Sequence, residues 1–262
     1  ELREWYRSSQ SSAELRDLLS HKLRHLGDDD ERGTELSLEL GGVYEKELNS
    51  ADEAAKVYCD VLASGEDEPR AVDGLERLLE GTEARAHVAS VLRDTYISRE
   101  AWPDAARTSE IVIETCDDEN ERRTEIQSLS SLYETSLGDL SKALKWALLG
   151  LEHEPADLAA EQQVLQLIER TKEYEAALGT LRRLRDDIDG GDSQRLSLAA
   201  TQVALWAGQR EDGVVDALKA CGEVRSYSQR AGALLEELVE PGAEADGLRS
   251  RAEAILEPCS HA

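Results

Sequence analysis

The chain has 262 residues, of which 30 are basic and 56 acidic, for a formal net charge of −26. A surface this acidic repels nucleic-acid phosphates and anionic lipid, which excludes a general nucleic-acid binder and docking on acidic membranes. Hydrophobic residues make up 40% of the chain, prolines number only 5, and runs of alternating β-branched residues are lacking, so the sequence predicts a folded, all-α protein.

No apolar run approaches the roughly 18 residues of a membrane span, which predicts no direct membrane insertion. The sequence begins without Met, and we expect a fragment or a processed product. A cytoplasmic location is expected, or a periplasmic one if a signal or anchor has been removed. The cysteines are far apart and form no CxxC pair, so neither a disulfide framework nor a zinc site is indicated, and no cofactor is predicted. They are Cys59, Cys116, Cys221 and Cys259.

Ten amphipathic segments follow one another along the first 187 residues. Leucines spaced three and four apart, as at Leu15, Leu18 and Leu19, indicate one apolar helix face per segment. Gly, Asn or Pro punctuates the breaks, and the short connections predict antiparallel helical hairpins. The segments run near 12–26, 30–48, 51–63, 68–80, 83–98, 101–115, 119–137, 140–153, 157–170 and 173–187.

The second five segments repeat the first five at a shift of 89 or 90 residues. Val43-Tyr44-Glu45 matches Leu132-Tyr133-Glu134, and Leu78-Leu79-Glu80 matches Leu167-Ile168-Glu169. Leu2 to Tyr6 recurs in the same way near residue 92. Five helices per long period is an odd number, which indicates an old duplication laid over a shorter, two-helix unit.

The shorter unit is clearest in the middle of the chain. Tyr133 lies on a first helix, Gly138-Asp139 makes the turn, Ala143 lies on a second helix, and Pro155 opens the next. The pattern resembles the tetratricopeptide repeat, a helix-turn-helix of about 34 residues. Tyr133 to Ala143 contains one residue more than the family's usual spacing. Similar positions elsewhere are Leu40, Gly41, Tyr44, Ala54, Tyr58, Leu165, Ile168, Tyr174, Ala177 and Leu181.

The resemblance implies a right-handed α-solenoid of about seven hairpins, like the loosened repeats of large bacterial scaffold proteins. We expect the array to cover 1–224, with long copies near 1–98 and 99–187 and then a degenerate copy. The remaining segment, 225–262, is expected to form C-terminal helices that cap the array. The implied function is non-catalytic protein–protein interaction, and this step is an analogy from fold. A regulatory or sensor module of a larger protein is the alternative.

In the tetratricopeptide family, the first helix of each hairpin supplies ligand-binding side chains on the concave side. The corresponding positions here are polar, carry few basic residues and lack the family's carboxylate clamp of Lys and Arg. The expected partner is therefore a protein or peptide with an extended polar or basic segment; the alternative is a face that is merely solvated. The positions are Glu35, Glu39, Lys46, Gln127, Ser131, Glu134, Gln162, Gln166 and Arg170.

Two patterns raise the alternative of metal chemistry. Asp117, Asp118 and Glu121 have the DDxxE form that holds magnesium and diphosphate in isoprenoid synthases, which would make the protein an all-α enzyme. A similar acidic run recurs at 28–31, however, and carboxylates at a helix start cap free N–H groups, so we favour capping. His21 and His25 are four apart on one helix, without an HExxH pattern, and indicate a solvated face.

Overall fold

A computed structural model describes residues 11–26, 30–64, 68–81, 83–221 and 225–238. In these ranges the chain contains thirteen α-helices and no strand. None of these helices combines the length and apolarity needed to cross a bilayer. The helices are α1 (Ser12–His25), α2 (Asp30–Lys46), α3 (Ala51–Ala63), α4 (Pro69–Leu78), α5 (Arg85–Ser98), α6 (Trp102–Thr115), α7 (Glu119–Leu132), α8 (Leu140–His153), α9 (Leu158–Thr171), α10 (Tyr174–Asp187), α11 (Gly190–Trp206), α12 (Arg210–Ala220) and α13 (Arg225–Leu238).

The all-α prediction is confirmed, and each of the ten predicted segments coincides with a helix. Of the predicted C-terminal cap, α13 falls in the described residues. Several sequence features lie outside the described residues: the match at Leu2 to Tyr6, most of the acidic run near residue 28, Cys259, and the segment after residue 238.

Local capping explains where many of the helices begin and end. At the start of α9, Oδ1 of Asp157 accepts hydrogen bonds from the backbone N–H groups of Ala159 and Ala160, at 2.8 and 3.2 Å. Residues with positive φ follow several of the helical segments. They reverse the direction of the chain, so that the next helix runs antiparallel. These residues are Asn49, Glu100, Gly138, Lys172 and Gly208.

A π-helical turn, Tyr133–Leu137, follows α7 directly. It occupies the stretch between Tyr133 and Ala143 in which the sequence has one residue more than the tetratricopeptide spacing. A π turn holds an extra residue without breaking the helix, because its hydrogen bonds reach one residue further. Gly138, with φ 68°, then closes the turn through its N–H to the carbonyl oxygen of Tyr133.

The chain divides into two compact units, Glu1–Glu125 and Ile126–Ala262, with the division inside α7. These units do not coincide with the predicted long copies 1–98 and 99–187, so the duplication stays a prediction. A cluster of buried apolar side chains joins α1 to α2 in the first unit, and another joins α11, α12 and α13 in the second. Their members are Leu15, Leu19, Leu36, Leu40 and Val43, and Leu198, Ala220, Ala231 and Leu234.

In the first unit, side-chain bridges link helices two apart in the chain. Arg77 Nε lies 2.6 Å from Glu45 Oε1, joining α4 to α2, and Arg107 pairs with Glu76, joining α6 to α4. Arg93 Nη1 lies 2.6 Å from Glu125 Oε2 and joins α5 to α7. The helices of this unit therefore form two rows, one containing α2, α4 and α6, the other α5 and α7.

The second unit repeats this arrangement. Glu134 pairs with Arg170 and Glu161 with Arg195, which places α7, α9 and α11 in one row. The other row contains α8, α10 and α12. Arg183 of α10 pairs with Glu152 of α8, and the guanidinium groups of α10 pair with Asp216 of α12. Partners in these two units are 31 to 36 residues apart. This spacing agrees with the roughly 34 residues of a tetratricopeptide hairpin, and the predicted tetratricopeptide-like hairpin architecture is confirmed in the described ranges.

Candidate functional site

Six of the nine predicted binding residues lie together on two neighbouring helices of the second unit. Ile126 and Leu129 of α7 and Tyr133 of the π turn point inward, as do Val164 and Leu167 of α9. The intervening positions therefore face outward. We call the resulting patch the α7–α9 surface. It contains Gln127, Ser131, Glu134, Gln162, Gln166 and Arg170.

Two bridges between the helices border this surface. At one end Gln127 Nε2 donates to Asp157 Oδ2 at 3.2 Å, and at the other Arg170 donates to Glu134. Beneath them, Gln163 Nε2 donates to the buried Ser130 Oγ at 3.3 Å, which fixes how α9 lies along α7. The bridges hold the two helices in register, so the polar groups between them keep a fixed spacing.

Between the bridges, Ser131, Gln162 and Gln166 are exposed. Within the described part of the chain, the two glutamine amides make no hydrogen bond to another side chain or to the backbone. Each amide presents one acceptor oxygen and two N–H donors, which suits it to both halves of a peptide group. The surface is thus equipped to bind an extended backbone.

Sequence reasoning missed one residue of this surface. Leu158 opens α9 beside Asp157 and is 58% exposed, whereas Val164, Leu167 and Ile168 of the same helix are buried. With Gln162 and Gln166 it forms a stripe at four-residue spacing along one face of the helix. The sequence pattern that could have identified Leu158 is an apolar residue at the start of a stripe whose other members are polar.

Behind the surface, a buried ion pair anchors the start of α9. The guanidinium of Arg195 on α11 donates to Glu161 and to the carbonyl oxygen of Pro155. Burial raises the pKa of Glu161 above its usual range even though Arg195 acts in the opposite direction. The pair connects the first turn of α9 and the preceding loop to α11, which keeps Asp157 and Leu158 in place.

The other three predicted residues, Glu35, Glu39 and Lys46, lie on α2 in the first unit. Glu35 Oε2 is 2.9 Å from Arg70 Nη2 of α4, and Lys46 is exposed at the end of α2. Within the first unit α2 and α7 belong to different rows. The nine predicted residues are thus divided between the units, three in the first and six in the second.

Asp117, Asp118 and Glu121 occupy the start of α7. Asp118 Oδ1 accepts the backbone N–H groups of Asn120 at 2.8 Å and Glu121 at 3.0 Å, which is the geometry of a helix cap. The rings of His21 and His25 on α1 are tilted by 49° to each other, with their centroids 4.4 Å apart. Within the described residues, no three His, Cys, Asp or Glu side chains are grouped to hold a metal ion.

No protein-family model matches the sequence, and no curated protein matches it. Among solved structures, the C-terminal part of a TPR repeat-containing protein from Cytophaga hutchinsonii is 12% identical and aligns over 94% of this chain and 98% of its own, with a TM-score of 0.34. The pilF protein of Pseudomonas aeruginosa is 14% identical over 96% and 100%, also at 0.34. A tetratricopeptide repeat protein from Parabacteroides merdae is 12% identical over 90% and 96%, at 0.27. At these TM-scores the structural similarity is too low to assign a function to this chain.

Proposed function

We propose that the chain is a non-catalytic protein-binding module and that the α7–α9 surface takes an extended peptide segment of a partner protein. The observation that supports this is the pair of glutamine amides, Gln162 and Gln166, left exposed between two side-chain bridges. Stacked hairpins bury a continuous core and leave long helical faces exposed, and such faces suit extended partners.

The chemistry of the border defines the partner further. Asp157 and Glu134 stand at the two ends of the surface, and the chain as a whole carries −26. A segment with Lys or Arg is attracted by this field and can share either carboxylate. Leu158 offers an apolar contact beside Asp157. The partner segment therefore carries polar side chains, at least one basic residue and one apolar residue.

Affinity capture with the immobilised chain tests this proposal. The double variant Gln162→Lys, Gln166→Lys adds two positive charges to the surface, and we expect it to lose captured partners by tenfold or more. Glu175→Lys on α10 is the matched control, because it changes the net charge by the same two units at an exposed site in the other row. If the double variant and the control both retain every partner, the α7–α9 surface is not the binding site.

A further inference from the structure

A second surface lies between α8 and α10, the row opposite to α7 and α9 in the second unit. The two helices leave a half-open groove of about 750 Å³. Its floor is mainly apolar and includes Leu144, Trp146, Leu148, Leu149 and Ala176. We call it the α8–α10 groove.

Polar bridges close both ends of the groove. Ser141 Oγ donates to Glu173 at one end, and Arg183 donates to Glu152 at the other. Ser141 and Glu152 are eleven positions apart, which corresponds to about 16 Å of α-helix at 1.5 Å per residue. An extended peptide advances about 3.3 Å per residue, so the groove accommodates about five residues.

Two lysines, Lys142 and Lys145, line the groove, and they differ in whether a carboxylate pairs with them. Lys142 Nζ is 3.8 Å from Asp139 Oδ2 and 5.1 Å from the ring centroid of Tyr133, so its charge is already partnered. Lys145 Nζ lies 5.8 Å from the ring centroid of Trp146, and no carboxylate of the described residues pairs with it. The lining carboxylates Glu152 and Glu173 are each engaged in a bridge. Lys145 is thus an available positive charge beside an apolar floor.

We propose that the α8–α10 groove docks an acidic peptide segment that inserts a large apolar side chain against Trp146 and places a carboxylate on Lys145. Inserting the side chain removes the apolar floor from water. The neighbouring carboxylate gives the cation the partner that the chain itself does not supply. This ligand is opposite in charge to the basic segment proposed for the α7–α9 surface, so the two surfaces bind different partners.

Selection from a random phage-displayed peptide library on the immobilised chain tests the proposal. We expect enriched peptides to combine Leu, Ile or Phe with adjacent Asp or Glu. A synthetic peptide of the enriched sequence, labelled for fluorescence anisotropy, then serves as the probe. Ala176→Arg fills the groove and should weaken its binding at least tenfold, and Lys145→Glu should weaken it about tenfold.

Each variant has a matched control. Gly179→Arg adds the same side chain at an exposed position of α10 with no atom within 4 Å of the added Cβ, outside the groove lining. Lys56→Glu makes the same charge change at an exposed position of α3. Circular dichroism of all four variants checks that they fold, and each should keep the helical signal of the unsubstituted chain. Both controls should bind the peptide like the unsubstituted chain.

Four results would overturn the proposal: no enrichment at all, enriched peptides without carboxylates, binding unchanged in Ala176→Arg, or Lys145-dependent binding to anionic vesicles without any peptide binding. The Gln162→Lys, Gln166→Lys variant separates the two surfaces. If it loses the peptide while Ala176→Arg keeps it, the peptide occupies the α7–α9 surface and the groove proposal is wrong.

Discussion

Gly41 of α2 and Gly74 of α4 press against opposite edges of one aromatic ring, that of Tyr58 in α3. A Cβ built on Gly41 would lie 2.5 Å from Tyr58 Cε1, and one built on Gly74 would lie 2.5 Å from Cε2. Three successive helices meet at this ring, and two of them approach it with bare backbone. The tyrosine is buried, so it has no room to withdraw.

Gly41→Ala and Gly74→Ala should each lower the free energy of unfolding by about 1–3 kcal/mol, because the added methyl group overpacks a rigid buried ring. Urea unfolding followed by circular dichroism measures the change. Gly42→Ala is the control, since it has nothing within 4 Å of the added Cβ. It should be neutral or stabilise by up to about 1 kcal/mol through helix propensity. Equal destabilisation by Gly41→Ala and Gly42→Ala would contradict the packing argument.

Tyr58→Phe keeps the ring but removes the hydroxyl, which donates to Glu45 Oε2 at 3.1 Å. At pH 7 the variant should lose about 1–2 kcal/mol, because the bond is to a carboxylate. Burial, the negative charge of Glu45 and this hydrogen bond raise the pKa of Tyr58 from 10.0 to about 12.

The raised pKa gives Tyr58→Phe a pH signature. Between pH 10 and 12 the unfolded tyrosine releases its proton while the folded one retains it, so the unsubstituted chain loses stability as pH rises. By pH 11 the gap between the two proteins should shrink by about 1.4 kcal/mol. Unfolding in urea at pH 7, 9 and 11 measures it, and the gap should be constant from pH 7 to 9. A gap that stays constant up to pH 11 would show that the hydroxyl does not hold its proton in the folded state.

Asp216 of α12 is a buried carboxylate shared by two arginines of α10. Its Oδ2 accepts from Arg182 Nη2 at 2.7 Å and its Oδ1 from Arg185 Nη1 at 2.5 Å, and its side chain is 3% exposed. Asp216→Asn should cost about 3–5 kcal/mol, because the buried Arg185 loses its buried carboxylate and keeps only the exposed Asp186 as a partner. Thermal unfolding measures the effect.

Asp186→Asn is the comparison for Asp216. Asp186 also pairs with Arg185, but it is 59% exposed, so its replacement should cost about 1 kcal/mol or less. Similar losses in the two variants would mean that burial does not determine the strength of this network.

Asp118→Ala tests the cap against the metal alternative. Removal of the cap should cost about 0.5–2 kcal/mol in unfolding free energy, because the N–H groups of Asn120 and Glu121 lose their acceptor. Asp117→Ala, the adjacent carboxylate, should cost less. Isothermal titration of the unsubstituted chain with Mg²⁺ should give no binding heat. Saturable Mg²⁺ binding that Asp118→Ala abolishes would revive the enzyme hypothesis and contradict the capping interpretation.

The sequence predicted the helices well because their signals are local. In α9, for example, Asp157 caps the first turn and Val164, Leu167 and Ile168 recur at helical spacing, all within fifteen residues. The surplus residue after Tyr133 was likewise visible in the spacing, although its form as a π turn was not. Interactions that act within a few turns leave their pattern in the order of the residues.

Where the predicted binding residues lie depends on helix packing as well as on sequence. Gln127, Ser131, Glu134, Gln162, Gln166 and Arg170 do come together, because α7 and α9 follow one another in a row. Glu35, Glu39 and Lys46 lie instead on α2 of the first unit. Leu158 and the α8–α10 groove gave no sequence pattern strong enough to single them out.

By itself, then, the sequence determined the helices, their turns, their acidic caps and the tetratricopeptide-like hairpin. Only the tertiary structure decided which side chains meet across 31 to 36 residues, such as Glu134 with Arg170 and Asp216 with Arg185. The physical reason is register: a shift of one residue along a helix turns each side chain by about 100°, and no local pattern records how two distant helices align. The enclosure of Tyr58 by Gly41 and Gly74 depends on that alignment in the same way.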